Sequence, residues 1–113
     1  MSITGLKHSL NGNKLDMIGQ EFSEKIKDNP GVAGLVAKPY GSYLNLIVLL
    51  EPDIARDLED EVYDAYGEIF DKYDGQVMFE FDPMDCFSPD MIDQIAYDNA
   101  SHIIYRKGTN HAH

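Results

Sequence analysis

The sequence predicts an α+β fold in two layers, in which helices pack on a mixed four-stranded sheet in the order α-β-β-α-β-α-β. Residues 31–51 hold two apolar runs separated by a Pro-Tyr-Gly-Ser turn sequence, a pattern typical of a hairpin. Stretches on either side of this region repeat apolar residues three and four positions apart, as helices do. Residues 76–82 alternate apolar and polar side chains, which indicates a further strand.

The hairpin, predicted at residues 32–38 and 43–50, is expected at the centre of the sheet. Its second strand contains the run LNLIVLL, in which Asn45 is the only polar residue. A nearly continuous apolar run is typical of a strand that is covered on both faces. Gly41 can adopt the positive φ angle of a tight turn, so the first interpretation of Gly41 and Ser42 is the turn of this hairpin.

Three helices are predicted around the strands. The first begins at residue 13 and ends before the Asn-Pro-Gly sequence at residues 29–31. The longest covers about residues 53–73 and ends before Gly75. The third begins at the Ser-Pro-Asp sequence of residues 88–90, runs to about residue 99 and precedes a strand at residues 102–105. Both β-α-β connections are expected to place their helices on one face of the sheet.

Length and composition predict one cytoplasmic domain. A chain of 113 residues fits a single domain, for which we expect an ordered core at about residues 13–106 and a flexible tail at 107–113. The N-terminus lacks the apolar segment of a secretory signal, and no apolar run is long enough to span a membrane. Cys86 is the only cysteine, so no internal disulfide can form.

Acidic residues are strongly concentrated in one part of the chain. The net charge is −11, and residues 51–98 contain 16 of the 20 acidic residues but only Arg56 and Lys72 of the basic ones. That segment therefore carries −14, whereas the rest of the chain carries +3. Such a charge repels phosphate groups, so neither nucleic acid nor an acidic membrane is an expected direct partner.

The acidic residues of the longest predicted helix recur at spacings of three and four. Like charges at these spacings destabilise a helix, so the pattern needs an explanation. One interpretation is a solvated face that keeps the protein soluble. The other is a surface that engages a basic protein partner, which predicts a small, non-catalytic binding module with a regulatory or inhibitory role and allows a homo-oligomer. The predicted interaction residues are Asp57, Asp60, Glu61, Asp64, Glu68 and Asp71.

The layout of residues 13–105, with Gly41 and Ser42 after the first strand, resembles the minimal nucleotidyltransferase fold. In that family a Gly-Ser pair is followed, on the next strand, by two aspartates one residue apart that bind magnesium and a nucleoside triphosphate. Tyr43 and Asn45 occupy those two positions here, so the catalytic Asp-x-Asp is missing. The resemblance implies an alternative function as a degenerate nucleotide-binding domain that holds Mg²⁺ with a nucleotide. Its site would comprise Gly41, Ser42, Asn45, Glu80 and Asp82.

No complete catalytic constellation is visible in the sequence. It contains no Ser-His-Asp spacing, no glycine-rich phosphate loop and no Cys-x-x-Cys pair. Cys86 is interpreted as a structural thiol, and His111 and His113 as part of the terminal tail. We therefore expect a binding protein without catalytic residues, cofactor or metal, and a purely structural domain stays open as a further alternative.

Overall fold

The computed structural model describes residues 12–108. Its order is α-β-β-α-β-α-β with a mixed four-stranded sheet, which confirms the predicted fold class. The predicted tail beyond residue 108, with His111 and His113, lies outside the described residues. The elements are α1 (Gly12–Ile26), β1 (Val32–Tyr40), β2 (Tyr43–Leu50), α2 (Arg56–Tyr73), β3 (Met78–Asp85), α3 (Asp90–Ile95) and β4 (His102–Arg106).

The hairpin forms the two central strands of the sheet, whose order is β3-β2-β1-β4. β1 is antiparallel to β2 and to β4, while β3 lies parallel to β2 at the opposite edge. Tyr40 pairs with Tyr43 across the turn, and Gly41 has a φ angle of 61°, a conformation that glycine adopts without strain. The interpretation of Gly41 and Ser42 as a tight turn is therefore confirmed.

β2 is buried on both of its faces. Leu46, Val48 and Leu50 belong to the apolar core that the sheet shares with α1 and α2. Ile47 and Leu49 face the other side, where they join a smaller cluster around Ile92 of α3. The prediction of a strand covered on both sides is confirmed, because the apolar run supplies both cores through the alternation of its side chains.

The expectation that both crossover helices lie on one face is wrong. α2 packs with α1 on one face, and α3 packs on the other. α3 belongs to the connection between β3 and β4, which are the two edge strands. The chain must therefore pass across the whole sheet. Since α1 and α2 already occupy one face, this connection crosses the other, and α3 adds a partial layer to the two predicted ones.

Several element boundaries differ from the prediction. β3 continues through Pro83 to Asp85 rather than ending at residue 82, because an edge strand pairs on one side only and tolerates a residue without an N–H. α2 begins at Arg56, and α3 ends at Ile95. Four apolar side chains on these elements are half-buried: Leu58, Phe79, Phe81 and Ile95.

Glu21 joins α1 to α2. Its carboxylate accepts hydrogen bonds from Lys72 Nζ at 2.5 Å and from the Tyr73 hydroxyl at 2.6 Å. These two donors lower the pKa of Glu21, with Lys72 contributing most. The same contact, together with burial, raises the pKa of Tyr73 from 10.0 to about 12, because the hydroxyl is a donor only while it keeps its proton.

Tyr73→Phe removes this donor and is expected to lower the free energy of unfolding by about 1–3 kcal/mol at neutral pH. The pKa of Tyr73 is raised in the folded protein, so its stabilisation is fully present below pH 10 and is lost as the pH rises toward about 12. Urea denaturation across this pH range should show the free energies of unfolding of wild type and Tyr73→Phe converging. The exposed Tyr43→Phe control should show no such trend. If the difference in the free energy of unfolding between wild type and Tyr73→Phe stays constant up to about pH 12, the role given to Glu21 is contradicted.

Leu46 is fully buried in β2 and tests the central position of that strand. Leu46→Ala should lower the free energy of unfolding by about 2–5 kcal/mol, and Leu46→Asp should prevent folding because it buries an unpaired carboxylate. The exposed Met17→Ala, on α1, should change stability by no more than about 0.5 kcal/mol. Urea denaturation followed by circular dichroism measures all three, and a well-folded Leu46→Asp protein would contradict the burial of this position inside the sheet.

Candidate functional site

α2 places six carboxylates on its solvent side, and we call this set the acidic face. All six side chains are exposed, as the binding interpretation requires. With 3.6 residues per turn they fall within an arc of roughly 100° around the helix axis. The acidic face comprises Asp57, Asp60, Glu61, Asp64, Glu68 and Asp71.

The structure divides the acidic face into two parts. Glu68 forms an ion pair with Lys25 of α1 at 2.5 Å, and Glu61 accepts a hydrogen bond from Asn29 Nδ2 at 3.3 Å. These two glutamates therefore help to fasten α2 to its neighbours. Within residues 12–108, no basic side chain lies in ion-pair distance of the four aspartates. Their charges are left facing solvent.

Two aromatic side chains border the aspartates. Tyr63 and Phe70 are 44% and 40% exposed, respectively, although both are large and apolar. They are held in place from beneath, because Tyr63 meets the edge of Phe81 at 5.6 Å and Phe70 contacts Phe79 at 6.1 Å between ring centroids. Carboxylates beside partly exposed, well-packed rings can receive a cationic side chain through both charge and cation–π attraction.

Gly67 lies in the middle of α2 between these groups. By helical spacing its neighbours are Tyr63 and Asp64 on one side and Phe70 and Asp71 on the other. A Cβ atom built on Gly67 meets nothing within 4 Å, so the surface above this glycine is open, and we call this open position the Gly67 notch. Glycine inside a helix costs about 0.5–1 kcal/mol relative to alanine, and no packing contact at this position requires it.

The residues of the alternative nucleotide site are only partly brought together. Asn45 and Glu80 are register partners on adjacent strands, and Asp82 lies two residues further along β3. Ser42 lines a different cleft, on the side of Phe70 and Gly75, whereas Asn45 and Asp82 line a cleft beside α3. Gly41 belongs to the hairpin turn. Magnesium and nucleotide binding at these residues stays a prediction.

Within residues 12–108, no three His, Cys, Asp or Glu side chains are grouped so that they could hold a metal ion. Cys86 is half-buried, and its thiol contacts the Ser88 carbonyl oxygen at 3.2 Å. Burial raises the pKa of Cys86, which keeps the thiol protonated and weakly nucleophilic at neutral pH. Its interpretation as a structural thiol fits this environment.

None of the helices in the described part of the chain is long and apolar enough to cross a membrane.

Two positions near the candidate sites were not predicted from the sequence. Gly67 is the only glycine between Arg56 and Tyr73, and an isolated glycine within a helical pattern can be seen from the sequence because it costs the helix about 1 kcal/mol relative to alanine. Lys38 is buried at the end of β1, where its amine donates to the Ile95 carbonyl oxygen at 2.9 Å. No local pattern indicates that contact, because the two residues are far apart in the chain.

No protein family matches the chain, and no curated protein matches it significantly. Among solved structures, the chain is similar to one from the complex of a tri-AMPylated Shewanella oneidensis HEPN toxin with MNT antitoxin. The sequence identity is 11% and the TM-score 0.48, and the match covers 86% of this chain and 76% of the other. The resemblance to the minimal nucleotidyltransferase fold stays a prediction.

Asn45 supports a prediction about stability. It is 7% exposed, and its Oδ1 atom is buried without a hydrogen-bond partner. Because an unpaired buried polar group destabilises the folded state by about 1–3 kcal/mol, the similarly sized Asn45→Leu variant should be more stable than the wild type. Thermal and urea denaturation measure the difference, with the surface variant Asn13→Leu as the control. A clear loss of stability in Asn45→Leu would mean that the amide has a partner after all.

Proposed function

We propose that this protein is a non-catalytic binding module that engages a basic protein through the acidic face of α2. The observation that carries the proposal is the arrangement of four exposed aspartates without a basic partner among the described residues. These are Asp57, Asp60, Asp64 and Asp71. A partner that presents lysine and arginine side chains would relieve the repulsion between them.

The surroundings of the aspartates support binding over solubility alone. A face that serves only to keep a protein soluble needs neither exposed aromatic rings nor a glycine in mid-helix. Tyr63 and Phe70 supply rigid apolar contact area of the kind that is enriched at protein interfaces. The Gly67 notch offers space for a cationic side chain between two rings and two carboxylates. Arginine suits such a position, because its planar group both stacks on rings and pairs with carboxylates.

The first experiment titrates ¹⁵N-labelled protein with hexa-arginine, which stands in for the basic surface of a partner. We expect chemical-shift changes concentrated in α2. Replacing Asp57, Asp60, Asp64 and Asp71 with Asn should weaken binding at least about tenfold, and raising the ionic strength should weaken binding to the wild type. Fluorescence anisotropy of a labelled peptide gives the dissociation constants.

A matched control removes the same charge elsewhere. Asp28, Asp53, Asp85 and Asp90 are exposed and lie outside α2, so their replacement with Asn changes the net charge equally. This control should keep most of the affinity. In capture from cell extract at low salt, the relevant partner should bind to the wild type and to the control but not to the acidic-face variant. If the two variants lose affinity equally, the acidic face acts only through net charge and the proposal is wrong.

The Gly67 notch gives an independent prediction. Gly67→Ala should stabilise the protein by about 0.5–1 kcal/mol, because alanine favours helix and its Cβ atom meets no neighbour. Gly67→Leu should also stabilise the protein, because leucine favours helix over glycine. Gly67→Leu should nevertheless weaken hexa-arginine binding by filling the notch, while Gln20→Leu, on the exposed side of α1, should not. Thermal denaturation and anisotropy separate the two effects, and unchanged affinity in Gly67→Leu would exclude the notch from the binding surface.

A further inference from the structure

A cleft of about 430 Å³ lies on the face of the sheet opposite α1 and α2. It exists because α3 contains only six residues, whereas the central strands contain eight or nine. At about 1.5 Å per residue, α3 is too short to cover strands that rise about 3.3 Å per residue. The uncovered part of the sheet forms the floor of the cleft, and the segment after α3 forms one wall.

Asn45 is the polar centre of the floor. The side chain is more than nine-tenths buried and lines the cleft, yet the structure gives its carboxamide no hydrogen-bond partner within residues 12–108. Oδ1 is shielded from solvent in this structure, so a rotation of the side chain is needed to present both Oδ1, an acceptor, and Nδ2, a donor, to the cleft. A buried amide of this kind is satisfied when a ligand supplies the complementary groups.

Lys38 and Asp98 keep the charge at this site balanced. Lys38 is the register partner of Asn45 on β1, and its ammonium lies 3.8 Å from Asp98 Oδ2 in addition to its hydrogen bond to the Ile95 carbonyl oxygen. Its positive charge is therefore already compensated. Asp82, at the rim of the cleft, is exposed to solvent. The floor thus favours a neutral ligand over an ion, because no uncompensated charge is buried there.

The walls favour a flat ligand. Ile47 and Met84 provide apolar surface on two neighbouring strands. Tyr97 stands at the opening and is 78% exposed, although Lys38 Nζ lies over one side of its ring at 4.8 Å from the centroid. The other side of the ring is available for stacking. An aromatic ring at the mouth and apolar side chains below suit a planar ring system.

We propose that this cleft binds a neutral, planar aromatic amide. The ligand would pair its adjacent N–H and C=O groups with the carboxamide of Asn45 and stack on the free side of Tyr97. Two kinds of molecule carry this chemistry, namely the ring amide of a nucleobase and the exocyclic carboxamide of a benzamide or nicotinamide. The site is independent of the acidic face of α2, which lies on the other side of the sheet.

The test uses uracil and benzamide as the two probes, titrated into protein with ¹⁵N-labelled asparagine and ¹³C-labelled methyl groups. We expect saturable shifts of the Asn45 side-chain amide and of the Ile47 and Met84 methyl groups. 1,3-Dimethyluracil and N,N-dimethylbenzamide keep the rings but lack the N–H donors, so they should bind at least about tenfold more weakly. The tighter probe of the two identifies the ring amide or the exocyclic amide as the preferred form.

Three variants complete the test. Asn45→Leu is expected to retain the fold and to lose binding of both probes, Tyr97→Ala should weaken binding several-fold, and Tyr97→Phe should preserve it. Circular dichroism and thermal denaturation establish that each variant is folded. The proposal is overturned if neither probe gives saturable binding at millimolar concentration, if the methylated analogues bind equally well, or if folded Asn45→Leu binds like the wild type.

Discussion

The burial of β2 on both faces is the constraint on which the rest of the molecule depends. A strand whose side chains are almost all apolar must be covered twice, and two faces require two separate packing layers. α1 and α2 cover one face through Leu46 and its neighbours, and α3 covers the other through Ile47 and Leu49. Every other element either pairs with the central hairpin or shields it.

The two faces are covered unequally, and this inequality creates the two surfaces that we propose as binding sites. α2 has 18 residues and covers its face together with α1, so its own outer side becomes a long, exposed surface. α3 has six residues and leaves a cleft. One side of the protein therefore presents a convex charged helix, suited to a macromolecule, and the other presents a small concave site.

Local patterns in the sequence were sufficient for the element order, the hairpin turn and the exposure of the acidic residues, because each depends on spacing within a short stretch. The face chosen by α3 could not be derived in this way, since it depends on which edge strands the connection joins. The lack of a hydrogen-bond partner for Asn45 could not be derived from the sequence either. It arises because Lys38 bonds to Ile95 and Asp98 instead of to the amide. The presence of the amide was visible, but its lack of a partner is a tertiary property.

The acidic residues of this chain also affect the exposed edge of the sheet at β3. As an edge strand of eight residues it leaves one row of backbone groups open, which in many proteins invites the addition of a strand from another copy and the growth of aggregates. Pro83 removes one donor from β3, while Glu80 and Asp82 would bring like charges together if two such edges met. Concentrated solutions of this protein should therefore resist sheet extension, and β3 favours a foreign strand that brings basic residues.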